Sequence, residues 1–282
     1  MSVHFSRVVT TKPRGNGGAF SVKSVDLHRL GEHASPVMVL DDFRVNGRPF
    51  GPHPHAGFSA VTYVFEDSPS GLRSRDSLGN DIVVGPGSIV WTQSGSGVIH
   101  EEVPADKREL HGVQFFVNLS AKNKLAGPKV LSLQNDQVRE WQSPAGDRVR
   151  VVVGTYEGMS SSLEPADPFT LLDVALRKEI AFDLPNSHNA VVYVWEGEVL
   201  VLTDRGNEEV LTGQAIALFG DGGRVTFRSG APARFLLFSG AELREPVTAD
   251  GPFIMNNKAQ IAAAKARYRE GAMGYLEPLP KI

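Results

Sequence analysis

Cysteine is absent from this chain of 282 residues. Its absence excludes disulfide bonds, thiolate metal ligands and switches based on thiol oxidation, and it fits a protein of a reducing compartment. Any redox role of the chain must therefore depend on a bound metal ion.

A positive charge excess is also absent. The chain has 29 Lys and Arg residues against 32 Asp and Glu residues, and its formal net charge is -3. The densest basic stretch, Lys265 to Arg269, has the spacing of a solvated helix face. We therefore expect no direct binding to nucleic acid, whose phosphates require a basic surface.

Long apolar runs are lacking as well. No uninterrupted stretch is long enough for a membrane helix, and the polar start from Met1 to Thr10 lacks the apolar core of a signal peptide. These features predict a cytoplasmic protein that does not enter a membrane, and we expect a monomer.

Short apolar, β-branched runs recur along the whole chain between turns rich in Gly, Pro, Asn and Asp. This pattern predicts an all-β fold with an antiparallel β-barrel in each half. The expected domains are residues 1–134 and 135–282, joined by a linker within Ala121–Asp136. Helical periodicity is strong only at Lys258–Glu270, where Asn256 or Asn257 could be the N-cap.

The two halves differ in their candidate ligands although they look duplicated. Gly85-Pro86-Gly87-Ser88 precedes an apolar strand in the first half, and Leu211-Thr212-Gly213-Gln214 does so in the second. The second half has a lone histidine, His188, which we interpret as an ordinary turn or surface residue.

Two short motifs in the first half suggest a metal site. His53 and His55 are two residues apart, as are His100 and Glu102. Residues i and i+2 of a strand point to the same face, so each pair can present two side chains to one ion. Three imidazoles and one carboxylate would leave open positions for water, substrate or O2 on an octahedral ion. An isolated His-x-His pair is common in exposed loops, and the second pair makes the metal site the better interpretation.

The chain resembles the pirins, bicupin proteins with one mononuclear metal site in the N-terminal barrel. The resemblance covers most of the chain and depends on blocks of sequence in a specific order, at residues 51–58, 75–80, 85–87, 97–102, 112–119, 244–246 and 251–256.

The resemblance implies that His53, His55, His100 and Glu102 are the four metal ligands. It implies iron as the ion, as Fe(II) or Fe(III), although such ligands also accept Mn, Ni, Co, Cu or Zn. Strand alternation separately favours Glu102 over Glu101, because Glu101 would face away from His100. We expect Glu101 to be solvated or to lie behind the ligands.

The sequence departs from the family pattern at two positions. Ser59 stands where many cupins carry an acidic residue, and Ser74 stands where many pirins carry a histidine. Neither change removes a matched ligand. An insertion-like stretch at residues 66–71 also differs from the family pattern, and we expect it near the rim of the barrel. The resemblance therefore specifies the metal site better than it specifies the substrate.

The resemblance implies an enzyme of the quercetin 2,3-dioxygenase type, which opens a flavonol with O2. Glu102 would accept the proton of the flavonol 3-hydroxyl group. Aromatic residues near the motifs could line the flavonol pocket, although most such residues belong to cores. These residues are Phe50, Phe58, Phe65, Trp91 and Phe115.

Two alternatives stay open. Animal pirins resemble redox-sensitive transcription cofactors, so the chain could be an iron-dependent regulator that acts through a protein partner. Alternatively, the substrate could be another small phenolic compound, or the protein could bind a metabolic enzyme, because cupin folds host many unrelated reactions.

Overall fold

The computed structural model describes residues 2–15 and 19–280 of the chain. Strands dominate it, as predicted. The strands up to residue 133 are β1 (Val3–Phe5), β2 (Val9–Thr10), β3 (Lys12–Gly15), β4 (Phe20–Ser24), β5 (Val37–Val45), β6 (His53–His55), β7 (Phe58–Val64), β8 (Leu72–Asp76), β9 (Asp81–Val84), β10 (Ile89–Gln93), β11 (Val98–Pro104), β12 (Leu110–Asn118) and β13 (Lys129–Leu133).

The strands of the second half are β14 (Arg139–Gln142), β15 (Arg148–Val153), β16 (Thr155–Tyr156), β17 (Met159–Ser160), β18 (Phe169–Leu176), β19 (Glu179–Leu184), β20 (His188–Glu196), β21 (Val199–Thr203), β22 (Glu208–Leu211), β23 (Gln214–Gly220), β24 (Gly223–Arg228), β25 (Ala233–Ala241), β26 (Thr248–Asp250) and β27 (Phe253–Met255). Two short 3-10 helices lie at Leu27–Ala34 and Asn135–Gln137. The α-helix α1 spans Lys258–Arg269.

Each barrel consists of one large and one four-stranded antiparallel sheet. The first barrel has the orders β13-β10-β7-β12-β5-β4-β3 and β6-β11-β8-β9. The second barrel has the orders β1-β23-β20-β25-β18-β15-β14 and β19-β24-β21-β22, with β2 also on β23. The two sets of orders correspond strand by strand, which confirms the predicted pair of cupin-type barrels.

Strand β7 shows how the barrels pack together, because all seven of its residues are buried. Side chains alternate between two faces along a strand. Val61 and Tyr63 belong to a core cluster that contains residues of both barrels, including Leu171 and Phe238. The opposite face, which carries Thr62, points into the first barrel.

Three of the five aromatic residues that were candidates for a flavonol pocket lie in this shared core instead. Phe65, Trp91 and Phe115 are fully buried in the cluster between the barrels. Phe58 is buried elsewhere, beside His55 with ring centroids 5.0 Å apart. Phe50 alone among the five is exposed, at 49%.

A segment near each end of the chain packs on the other barrel. Strands β1 and β2 pair with β23 of the second barrel. Conversely, Phe253 bridges Ala56 of the first barrel, and Ile261 of α1 packs in the same cluster. A domain boundary at residue 134 stays a prediction. Strands β1 and β2 precede this residue but pair with the second barrel, whereas Phe253 and Ile261 follow it but pack on the first barrel.

The stretch expected to be a linker, Ala121–Asp136, is partly built into the first barrel. Strand β13 pairs with β10 along its whole length. Lys124 is fully buried, and its Nζ donates to the carbonyl oxygen of Gly57 at 2.9 Å and to Asn118 Oδ1 at 2.6 Å. The linker prediction is therefore wrong for these residues, because pairing and burial compensate for their low strand propensity.

The helix α1 begins and ends close to its predicted limits. Asn257 is the N-cap, since its side chain accepts a hydrogen bond of 2.9 Å from the Gln260 amide. Glu270, the last residue of the prediction, is the C-cap. Within residues 2–15 and 19–280, no helix has the length and apolar character needed to cross a bilayer.

Candidate metal centre

Pairing between β6 and β11 brings the two histidine motifs together. His100 lies directly opposite His53 in the register, and Val98 lies opposite His55. The turn after β6 requires Gly57, which has a φ of 87°. A Cβ atom there would come within 1.9 Å of the Ile254 carbonyl oxygen, so the close approach of β27 also excludes a side chain.

The three imidazole rings form a nearly equilateral triangle. Their centroids are 4.8 Å apart for His53 and His55, 4.7 Å for His53 and His100, and 4.8 Å for His55 and His100. One ring nitrogen of each histidine lies within 4.8 Å of the others. Three nitrogens at this separation can reach a single ion.

Burial keeps His55 and His100 neutral. It lowers the pKa of His55 to about 3, with a smaller contribution from the neighbouring His53. Burial also lowers the pKa of His100 well below its ordinary value. A neutral imidazole has a free electron pair for a metal ion.

The hydrogen bonds at the site leave ligand atoms free. Nδ1 of His53 donates to the Gly51 carbonyl oxygen at 2.9 Å, which leaves its Nε2 as the ligand atom. Both ring nitrogens of His55 and of His100 are buried and have no hydrogen-bond partner in the described parts of the chain. Such atoms are costly in a folded protein unless something binds them.

Glu102 lies further along β11, on the same side of the strand as His100. Its Oε2 accepts a hydrogen bond of 2.5 Å from the Thr62 hydroxyl group, while Oε1 is buried and lacks a partner among the residues the structure describes. Burial raises the pKa of this carboxyl group to about 7, although the hydroxyl groups of Thr62 and Ser74 oppose the rise.

Glu101 faces away from the histidines, as strand alternation predicted. It is buried rather than solvated, and its carboxylate forms a salt bridge of 3.0 Å with Arg75. Of the two positions that depart from the family pattern, Ser74 lies opposite Glu102 in the register and Ser59 is fully buried on β7.

The site opens into a cavity of about 500 Å³. Its walls include His53, His100 and Glu102, together with Phe50 and Gln114. The structure thus brings the three predicted histidines together and places Glu102 in the wall of the same cavity.

Thr62 and Gln114 also belong to the site, although the sequence motifs did not indicate them. Both occupy the interior-facing positions of buried strands, so strand alternation could have pointed to them. It could not have shown which polar residues on those strands reach the metal side of the barrel.

The donor set fits a metal ion. Neutral imidazole nitrogens and a carboxylate suit Fe, Mn, Co, Ni, Cu and Zn. The unpartnered nitrogens of His55 and His100 would be satisfied by such an ion. Mutual proximity of the three histidines, together with the burial and neutrality of His55 and His100, therefore points to one shared role.

Comparisons with known proteins agree with this arrangement. A family model for pirin matches residues 8–117, and one for the pirin C-terminal cupin domain matches residues 171–274. A Pseudomonas aeruginosa protein named "Putative quercetin 2,3-dioxygenase" is 30% identical over 277 residues, which cover 94% of this chain and 95% of that protein. Rat pirin is 30% identical over 246 residues, covering 85% and 83%.

Solved structures show the same architecture. The crystal structure of a quercetin 2,3-dioxygenase from Acinetobacter baumannii matches with a TM-score of 0.85 and 26% identity. The match covers 98% of this chain and 100% of that one.

Proposed function

Because this chain belongs to the pirin family, we propose that it is a metal-dependent dioxygenase of the quercetin 2,3-dioxygenase type, which opens a flavonol with O2. The observation that carries the proposal is the convergence of three imidazoles on one point, beside a cavity whose wall contains His53, His100 and Glu102.

We assign the metal to His53, His55 and His100, with Glu102 as the fourth ligand and iron as the ion. The Oε1 atom of Glu102 supports this assignment, since it is buried without a partner in the part of the chain that the structure describes. The bound ion would supply a Lewis acid for the flavonol oxygen atoms and a centre for O2 chemistry.

Glu102 has a second role in the proposal, as the base that accepts the proton of the flavonol 3-hydroxyl group. Burial raises the pKa of its carboxyl group, whereas a coordinated cation would lower it, so the two effects oppose each other at this residue. The Thr62 hydroxyl group donates to Oε2 and so fixes the orientation of the carboxyl group.

Turnover of quercetin by iron-loaded protein in air tests the proposal, followed by the loss of the visible absorption of quercetin. We expect His53→Ala and Glu102→Gln to abolish turnover. His188→Ala is the matched control, because His188 is a half-buried histidine at the start of a strand in the second barrel. We expect it to retain native activity.

Absence of turnover by iron-loaded native protein would contradict the proposal. If oxidation of the metal then changed the binding of a protein partner, the result would favour the redox-sensing regulator. Elemental analysis of the purified protein identifies the ion that the site takes up.

A further inference from the structure

A separate cavity lined by basic side chains lies where the two barrels meet. Its volume is about 310 Å³. The wall of this basic cavity contains Arg7, His28, Arg29 and His33 and, among the residues the structure describes, no acidic one. It shares no lining residue with the cavity beside the metal-site histidines. The basic cavity is therefore a second place at which the protein could bind a ligand.

Three separate segments of the chain form this wall. Arg7 lies between β1 and β2, which pair with β23 of the second barrel. The other three basic residues belong to the 3-10 helix Leu27–Ala34, which packs Leu30 into the core shared by the barrels. Phe219 of β23 also lines the cavity. Because only tertiary packing brings these segments together, no basic run in the sequence marks the site.

The 3-10 helix bends within the cavity wall. Its Gly31 has a φ of 70°, a conformation that favours glycine. His28 and Arg29 precede the bend and His33 follows it, and all three line the same space. The bend thus accompanies the convergence of basic side chains from both parts of the helix.

The protein supplies no counterion to this space. Within residues 2–15 and 19–280, none of the four basic side chains forms a hydrogen bond or an ion pair. Asp26, just before the helix, pairs with Lys12 at 2.9 Å, and its pKa is lowered mainly by that bond, with smaller contributions from the charges of His28 and Arg29. Glu32 of the same helix lines the neighbouring cavity rather than this one. Two guanidinium groups, which are always charged, thus face one small space without a partner.

His33 is oriented by an aromatic stack. Its ring lies on Phe219 with centroids 3.5 Å apart and an interplanar angle of 4°. The stack fixes the plane of the imidazole but uses neither ring nitrogen. The N–H group at the edge of the ring is therefore available to a ligand.

We propose that the basic cavity binds a phosphate group, either as free inorganic phosphate or as part of a small phosphate monoester. Guanidinium groups bind phosphate oxygen atoms through paired N–H donors, and the imidazole N–H groups add further donors. A phosphate group carries up to about two negative charges at pH 7, which balances the two guanidinium charges. The formal net charge of -3 does not favour a long polyanion such as nucleic acid. The proposal does not depend on the proposed function.

Titration calorimetry of native protein with inorganic phosphate tests the proposal, in a buffer of low ionic strength because salt screens exposed charges. We expect Arg7→Gln and Arg29→Gln each to weaken phosphate binding about tenfold, because each removes a charge-assisted hydrogen bond. Both arginines are exposed, so their replacement should leave the fold intact. Arg205→Gln, at an exposed arginine in the turn between β21 and β22, is the matched control and should bind phosphate like native protein.

A second titration, with glucose 6-phosphate, distinguishes the two sources of the phosphate group. Tighter binding of glucose 6-phosphate than of inorganic phosphate would support a monoester site, and equal affinities would support a site for the free ion. In either case, the two arginine variants should weaken both ligands.

Phosphate can also bind a metal ion, so the titration is repeated with His53→Ala. We expect this variant to bind phosphate with native affinity, because His53 does not line the basic cavity. Loss of binding in His53→Ala would place the phosphate at the metal centre and overturn the proposal. No measurable binding by native protein would also overturn it, as would equal affinities of native protein, Arg7→Gln and Arg29→Gln, or an equal loss in Arg205→Gln. None of these outcomes depends on whether iron-loaded protein turns over quercetin.

Discussion

The two barrels share one strand order but differ in what their interiors contain. In the first barrel, the paired strands β6 and β11 direct His53, His55, His100 and Glu102 inward. In the second barrel, the corresponding strands are β19 and β24. Their buried side chains are Ile180, Phe182, Leu184, Val225 and Phe227, all in one apolar cluster.

This difference shows that the scaffold does not require the metal site. The second barrel closes around an apolar interior, whereas the first barrel leaves buried imidazole nitrogens without partners in its described residues. Buried imidazole nitrogens without partners lower stability, so their presence in the first barrel points to a functional role there.

The largest expected effect is the loss of the metal ion when a histidine of the first barrel is replaced by an apolar residue, as in the second barrel. His100→Phe should abolish metal retention, because one of the three converging imidazoles is lost and an apolar ring takes its place. Elemental analysis after dialysis should show about one ion per native chain and almost none in the variant. A variant that retained the ion would show that His100 is not a ligand.

The opposite substitution, which places a histidine in the second barrel, should lower the stability of the protein without creating a metal site. Phe227 is fully buried and packs against Phe235 with ring centroids 4.8 Å apart. Phe227→His should lower the free energy of unfolding by about 3 kcal/mol, since it removes apolar contacts and buries an unpaired imidazole. Chemical denaturation measures the loss, and elemental analysis should show no second ion. Uptake of a second ion would mean that the second barrel retains a latent site.

The buried ammonium group of Lys124 also links segments of the first barrel. Lys124 Nζ donates to Gly57, Asn118 and, at 3.4 Å, the carbonyl oxygen of Ile254 in the C-terminal segment. Lys124→Met should lower the free energy of unfolding by about 2 kcal/mol, because these buried acceptors lose their donor. The exposed Lys122→Met is the control in the same denaturation experiment. Equal stability of the two variants would contradict a structural role for Lys124.

A smaller, pH-dependent effect is expected where the barrels meet. Asp42 on β5 accepts hydrogen bonds from the Tyr193 hydroxyl group at 2.8 Å and from His111 Nε2 at 3.2 Å. Burial alone would raise the pKa of Asp42, but these hydrogen bonds from His111 and Tyr193 outweigh it and lower the pKa.

A lowered pKa means that ionised Asp42 stabilises the folded protein. This contribution is complete above the unfolded pKa of about 3.9 and disappears as the pH falls through the folded value. Asp42→Asn should lower the free energy of unfolding by about 1 kcal/mol at pH 7. Denaturation at several pH values should show the gap to native protein narrowing below about pH 4. A gap that widened in acid would contradict this sign.

Much of the site could be predicted from the chain itself. Alternation within His53-Pro54-His55 and His100-Glu101-Glu102 correctly put the three histidines together and turned Glu101 away. Short apolar runs between turns correctly indicated two barrels. These features are local, because the two-residue period of a strand is a property of the backbone.

Other features depended on contacts between distant segments. The burial of Lys124 and the pairing of β13 could not be read from a stretch of low strand propensity. The same holds for Phe65, Trp91 and Phe115, which fill the core between the barrels rather than a ligand pocket.

The sequence by itself determined the strand pattern, the barrel architecture and which residue types could bind a metal ion, since each follows from local periodicity and side-chain chemistry. Only the tertiary structure decided that one ring nitrogen of each of the three histidines lies within 4.8 Å of the others, that Thr62 donates to Glu102, and that Gln114 lines the cavity beside the histidines. The physical reason is that burial and distance depend on how the sheets close, and sheet closure pairs residues far apart in the chain.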